Sequence, residues 1–134
     1  MINTGISHLQ SSDQEQLEIA AKRLAAAKTP AKKIKQKEIL ADLLEQNGLH
    51  NDSRILWNEL VQTHEDYLYQ AMCLRKITQS FLNQRDHESA AAKVELALQI
   101  IRQTPLTSQE EKTEYFQILN QRLSLSDNWY FYKG

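Results

Sequence analysis

The sequence contains few of the residues that cross-link a chain or anchor it in a membrane. Cys73 is the only cysteine in 134 residues, which excludes an internal disulfide and a cysteine-based zinc site and fits a reducing cytoplasm. We interpret Cys73 as a packing residue. No run of about 18 apolar residues occurs, and the first residues lack a basic head followed by an apolar stretch. We therefore expect a cytoplasmic protein without membrane insertion.

Residues that carry out catalysis or hold cofactors are also sparse. The chain has only three glycines, too few for a glycine-rich phosphate loop. Its four histidines, at positions 8, 50, 64 and 87, are scattered, and none belongs to a His-Glu-x-x-His pattern. Two acids follow His64, but acids at a helix start are favoured by the helix dipole. The sequence predicts no enzyme activity, no metal site and no cofactor.

The residues that are abundant favour helix. Ala, Leu, Gln, Glu and Lys are frequent and there are only two prolines, so we expect an all-α protein of about six helices. The length is that of one ordinary domain. The predicted layout is a lead-in over 1–11, a single helical domain over 12–123 and a tail over 124–134. Within the domain, capping helices at 12–28 and 107–123 flank repeat-like units at 34–67 and 71–104.

Two stretches of the chain repeat the same helix-turn-helix pattern. Each has an apolar helical face, a break and a returning apolar face, and the breaks fall at Gly48 and at Arg85-Asp86. A recurring helix pair is the signature of a helical repeat array. The matched positions are 37 residues apart: Leu40 with Ile77, Leu44 with Phe81, Ser53 with Ala90, and Trp57 with Val94.

Capping patterns predict where the helices begin. A Ser or Thr followed three residues later by an acid satisfies backbone N–H groups at a helix start, and a Thr-Pro pair suits the same position. The predicted starts are Ser12 with Glu15, Thr29-Pro30, Thr63 with Asp66, Asp86, and Thr107 with Glu110. Trp57 is predicted to anchor the core, and Tyr67 is predicted to lie on a buried stripe. The stripe predicted on the sixth helix is more polar and consists of Tyr115, Ile118 or Leu119, and Arg122 or Leu123.

The two helix pairs resemble tetratricopeptide repeats over residues 34–102. The resemblance implies antiparallel hairpins stacked as a short right-handed array, although the spacing is 37 residues and the family's is about 34. A compact six-helix bundle that shares the hairpins is the alternative. The matching residues are Leu40, Ala41, Leu44, Gly48, His50, Ser53, Trp57, Leu60 and Val61, then Leu74, Ile77, Thr78, Phe81, Asp86, His87, Ala90, Val94, Ala97 and Leu98.

The same resemblance implies a function and a surface for it. Proteins of this family are scaffolds, adaptors or chaperones that hold a partner's peptide or helix in a groove lined by the first helix of each repeat. Mixed polarity at the corresponding positions suits a polar peptide with one or two apolar anchors. The implied groove residues are Lys35, Glu38, Asp42, Glu45 and Gln46, and Met72, Arg75, Gln79, Leu82 and Asn83. Each can also be an ordinary surface residue.

Charge is unevenly distributed along the chain. Seven basic residues and no acid lie between positions 22 and 37, although the net charge of the chain is −1. The segment suits an acidic partner or nucleic acid, or it forms a solvated face. The absence of interleaved aromatics argues against nucleic acid. The residues of this basic patch are Lys22, Arg23, Lys28, Lys32, Lys33, Lys35 and Lys37.

The last residues of the chain are rich in aromatic side chains. Four of the ten aromatic residues form the run Trp129, Tyr130, Phe131, Tyr132. One side of a helix or strand cannot bury all four. We expect the run to pack on its own domain, and the alternative is an anchor for another chain, including a second copy in a homo-oligomer.

Overall fold

The computed structural model describes residues 11–125, and this part of the chain folds into six α-helices without a strand. The predicted all-α class and number of helices are confirmed. Residues 1–10 of the lead-in and the aromatic run lie outside the described residues. The helices are α1 (Ser11–Ala26), α2 (Pro30–Gln46), α3 (His50–Thr63), α4 (Tyr67–Asn83), α5 (His87–Ile101) and α6 (Gln109–Leu125). Among these helices, none is both long enough and apolar enough to cross a membrane.

Two helix starts are capped as the sequence predicts. The Thr29 side chain accepts a hydrogen bond from the backbone N–H of Lys32 at 3.2 Å, and Pro30 is the first residue of α2. Asp86 caps α5 by accepting from the backbone N–H of Ser89 at 3.1 Å. Each cap satisfies a donor that has no partner inside the helix.

Two other predicted caps are wrong by a few residues. Thr63 is the last residue of α3, and Asp66 caps α4 by accepting from the backbone N–H of Leu68 at 3.3 Å. At α6 the capping box is formed by Ser108 and Glu111, each bonding the other's backbone N–H at 3.0 Å. The backbone N–H of Ser108 also lowers the pKa of Glu111 below its ordinary value. Overlapping Ser/Thr-x-x-acid patterns left the register of this cap ambiguous.

The two interior turns share one backbone geometry, at positions 37 residues apart. Gly48 and Arg85 both adopt left-handed conformations, with φ of 77° and 60°. In each turn the last carbonyls of the preceding helix accept the paired bonds of a Schellman motif. These bonds run from Gly48 N to Glu45 O and Leu49 N to Leu44 O, and from Arg85 N to Leu82 O and Asp86 N to Phe81 O.

By their contacts the helices group into two compact units, with the boundary between Leu56 and Trp57 inside α3. In the first unit α1 packs on α2. Ser53 is fully buried and its hydroxyl donates to the carbonyl of Ala41 at 2.8 Å, which ties the start of α3 to α2. The larger buried apolar side chains of this unit are Leu17, Leu40, Leu44 and Leu56.

In the second unit α4, α5 and α6 each pack on the other two. Trp57 is buried, as predicted, and the Nζ of Lys76 lies 5.6 Å from the centroid of a Trp57 ring. Cys73 is fully buried, which agrees with a packing role. The other core side chains are Leu60, Ala71, Leu74, Ile77, Ala90, Val94, Ala97, Leu98, Ile101, Ile118 and Leu125.

Some large side chains that helical periodicity places inside are exposed. Tyr67 is 48% exposed, so its predicted burial is wrong. The two alternatives at the end of the stripe predicted on α6, Arg122 and Leu123, are both exposed, and that prediction is wrong as well. Phe116, seven residues before Leu123 on the same face of α6, is 66% exposed. Tyr67 is the first residue of α4. In α6 the face that carries Glu114 and Ile118 is buried instead.

Exchanging the residue types of the two turns should change stability in opposite directions. A Cβ at Gly48 would meet nothing within 4 Å, so Gly48→Ala should lower the free energy of unfolding by about 1 kcal/mol through backbone strain alone. Arg85→Gly removes the strain of a left-handed non-glycine residue and should raise the free energy of unfolding by up to about 1 kcal/mol. Urea unfolding with unchanged m-values measures both. Destabilisation by Arg85→Gly would contradict the shared turn geometry.

Candidate functional site

Three of the five groove residues predicted on α4 line a polar cleft in the second unit. Arg75, Gln79 and Leu82 line it, with His87 at the start of α5. The opposite wall belongs to α6 and consists of Gln117, Asn120, Gln121 and Ser124. The cleft has a volume of about 490 Å³, within the range of sites that bind small ligands and peptide side chains.

Side-chain amides dominate the cleft. Four of its eight lining residues are Gln or Asn, and Arg75 is the one lining side chain with a permanent charge. An amide presents both a donor and an acceptor, and it carries no charge that must be neutralised. The cleft can therefore satisfy the N–H and C=O groups of a peptide backbone or of polar side chains.

A nearly buried ion pair sets the spacing of the two walls. The Nε of Arg75 on α4 donates to Oε2 of Glu114 on α6 at 2.5 Å. The Glu114 side chain is only 9% exposed and that of Arg75 is 21% exposed. An ionised carboxylate at this depth requires a hydrogen-bonded partner. The pair thus fixes where α6 lies along α4 and neutralises the charge of Arg75.

Gln121 makes the second connection between the walls. Its Nε2 donates to the backbone carbonyl of Arg75 at 3.0 Å and lies 3.4 Å from Oε1 of Gln79. Its own Oε1 is shielded and has no hydrogen-bond partner among the described residues. Leaving a shielded acceptor unpaired costs about 1–3 kcal/mol. If this amide rotated slightly, its Oε1 could accept a hydrogen bond from a bound molecule.

The other two predicted groove residues of α4 lie beside this cleft. Met72 lines a separate recess of about 220 Å³, together with Asp66, Leu68, Tyr69, Glu110 and Glu114. Glu114 therefore borders this recess while it holds Arg75 at the cleft. Asn83 is exposed, and its Oδ1 accepts from Nε2 of Gln79 at 3.0 Å. The α4 half of the predicted groove is thus divided by the ion pair.

The groove residues predicted on α2 belong to the first unit. Lys35 and Gln46 are exposed, whereas Glu38, Asp42 and Glu45 are half-buried. Oε2 of Glu45 lies 2.5 Å from Nδ1 of His50, across the turn at Gly48. Whether these residues and those of α4 share one groove stays a prediction.

The predicted basic patch lies on α1, on α2 and in the turn between them. Six of its seven side chains are exposed, and Lys37 is half-buried. The exposed ones are Lys22, Arg23, Lys28, Lys32, Lys33 and Lys35.

The α6 wall of the cleft is the part of the site that sequence reasoning missed. The stripe predicted on α6 did not include Glu114, Gln117 and Gln121, which recur at three- and four-residue spacing. A polar series at helical spacing indicates a helix face that meets water or polar partners, and not the apolar core.

Within residues 11–125 no group of three or more His, Cys, Asp or Glu side chains is arranged to hold a metal ion. Comparisons with protein-family models, with curated proteins and with solved structures found no match to this chain.

Removing the acid of the buried pair should destabilise the protein more than removing the acid of an exposed pair. Glu114→Ala leaves Arg75 without its partner and should lower the free energy of unfolding by about 1–3 kcal/mol. The control is Glu95→Ala, because Oε1 of Glu95 pairs with Nε of Arg122 at 2.5 Å with both side chains over 40% exposed. That change should cost less than about 1 kcal/mol. Denaturant unfolding measures both, and equal costs would show that Arg75–Glu114 does not hold α6.

Proposed function

We propose that this chain is a protein–protein interaction module, a scaffold, adaptor or chaperone, that binds a peptide of a partner protein in the cleft between α4 and α6. The observation that carries the proposal is the cleft of about 490 Å³ with four amide side chains on its two walls. Three of the predicted groove residues line it. The predicted function and the geometry of the second unit therefore point to the same place.

The chemistry of the lining defines the ligand. Gln79, Gln117, Asn120 and Gln121 offer donors and acceptors without net charge. Because Glu114 already neutralises the charge of Arg75, the cleft attracts a ligand carboxylate only weakly. Leu82 adds one apolar contact. The expected ligand is a polar, uncharged peptide segment with one or two apolar anchors.

The walls are held in place before any ligand arrives. The Arg75–Glu114 pair and the Gln121–Arg75 hydrogen bond both join α4 to α6. Residues on packed helices lose less freedom on binding than residues on loops, so less of the binding free energy is spent on ordering. This arrangement suits a recognition site.

Three further parts of the proposal come from the sequence. We place the protein in the cytoplasm because of its single cysteine. We retain the tetratricopeptide-like stacking of the hairpins, which the shared turn geometry supports. Self-association through the aromatic tail also stays a prediction.

Truncating amides on the α6 wall should weaken selective peptide binding. We would select peptides from a displayed random library with the wild-type chain as bait, then titrate an enriched peptide while recording amide resonances. The side-chain amides of Gln79, Gln117, Asn120 and Gln121 should shift first. Gln117→Ala with Asn120→Ala should weaken the peptide by about tenfold, because two exposed amides lose their hydrogen bonds.

The matched control removes two exposed glutamines outside the cleft, Gln62→Ala with Gln99→Ala, and it should leave affinity unchanged. Both double variants keep the Arg75–Glu114 pair, so circular dichroism and the unfolding midpoint should match the wild type. The proposal fails if no peptide is enriched, if the enriched set is the same on the cleft variant, or if the shifts map elsewhere.

A further inference from the structure

The exposed basic side chains of the first unit are concentrated at one end of the α1/α2 hairpin. Lys22 and Arg23 lie within about 6 Å of the end of α1, and Lys35 lies about 7.5 Å from the start of α2, at 1.5 Å rise per residue. Lys28 lies in the three-residue connection between the helices. Because α1 packs on α2, these charges share a region comparable with the Debye length of about 8–10 Å.

These cations are not engaged within the described chain. Among residues 11–125, none of the six exposed members of the patch makes an ion pair or a side-chain hydrogen bond. The acids of α1, such as Glu15 and Glu18, are likewise exposed and do not pair with them. The positive potential of this region is therefore available to a partner.

The position of two of the lysines opposes helix stability. The first turn of α2 contains Lys32 and Lys33 and no acid. A helix N-terminus carries a partial positive charge and favours acids there, by about 0.3–1 kcal/mol each. Lys32 and Lys33 therefore lower the stability of α2 slightly, and they place two cations beside the Thr29-Pro30 turn. Departures of this kind occur where function constrains a residue.

The surroundings decide which anion fits. The first Trp, Tyr or Phe of the chain is Trp57, so the first unit contains none of the large aromatic side chains on which nucleic-acid bases most often stack. Five of the six exposed cations are lysines, which attract an anion as point charges and do not impose the fixed bidentate geometry of arginine. Since the net charge is −1, the rest of the chain is acidic and would repel a long polyanion. A short acidic segment avoids that repulsion.

We propose that the end of the α1/α2 hairpin formed by Lys22, Arg23, Lys28, Lys32, Lys33 and Lys35 is a second binding surface, which takes a short Asp/Glu-rich segment of a partner protein. This surface belongs to a different unit from the amide-lined cleft. It is independent of the function proposed above.

The test is fluorescence anisotropy with a labelled oligo-glutamate peptide at low and at near-physiological salt. The wild-type chain should bind the peptide, more weakly as salt rises. Lys32→Glu with Lys33→Glu should weaken binding by about tenfold or more, because two attractions become repulsions. Because acids suit the first turn of α2, this variant should melt at the same temperature or higher. Loss of binding with intact melting then cannot be attributed to unfolding.

Two further variants and a second labelled probe complete the design. Lys28→Glu, in the turn outside both helices, should weaken binding of the peptide several-fold. The control is Arg85→Glu with Lys112→Glu, at exposed positions of the second unit. It changes the net charge by as much as Lys32→Glu with Lys33→Glu does, and it should change the affinity for the peptide less than twofold.

Three outcomes would overturn the proposal. The first is no binding of oligo-glutamate by the wild-type chain at low salt. The second is equal weakening by the control pair, which would indicate a response to net charge alone. The third is tighter binding of a labelled oligothymidylate of equal charge, which would assign the surface to nucleic acid.

Discussion

The placement of α6 depends on one carboxylate that cannot remain buried alone. Glu114 is 7% exposed, and an unpaired charge at that depth costs several kcal/mol. Arg75 supplies the partner at 2.5 Å, and sliding α6 by one turn along α4 would break the pair. The Gln121 bond to the Arg75 carbonyl holds the same register. The cleft therefore exists because this ion pair keeps two polar helix faces at a fixed spacing.

The core supplies the stability that this polar contact lacks. Buried ion pairs contribute little net stability compared with apolar packing, but they discriminate strongly between registers. On α6 the side chains of Ile118 and Leu125 are buried, and on α5 those of Val94, Leu98 and Ile101 are buried. In this account the apolar residues hold the three helices together, while Arg75 and Glu114 decide how α6 lies.

Local signals in the sequence predicted most of the fold. Gly48 and the Thr29-Pro30 pair act through backbone geometry that neighbouring residues alone determine, so the turns around them were predictable. Arg85 is different, since its left-handed φ of 60° follows from its position in the repeat and not from its residue type. The cap of α6 was placed one residue early because Thr107 and Ser108 both match the pattern.

The candidate site was only half predictable. The resemblance to tetratricopeptide repeats implied Arg75, Gln79 and Leu82 as groove residues, but it could not show that α6 lies opposite them. Glu114 looks like a surface residue until Arg75 is brought beside it. Leu123 looks like a core residue, yet no described helix covers it. Burial on a helix depends on which neighbours cover each face, and that information is not local.

The most direct measurement compares two opposite faces of α6. A photo-crosslinking phenylalanine analogue placed at position 120 lies in the cleft, while the same analogue at exposed position 122 lies about 200° around the helix from it, at 100° per residue. A cleft-binding peptide should form a crosslink from position 120 and none from position 122. Crosslinking from position 122 alone, or equally from both, would contradict binding in the cleft.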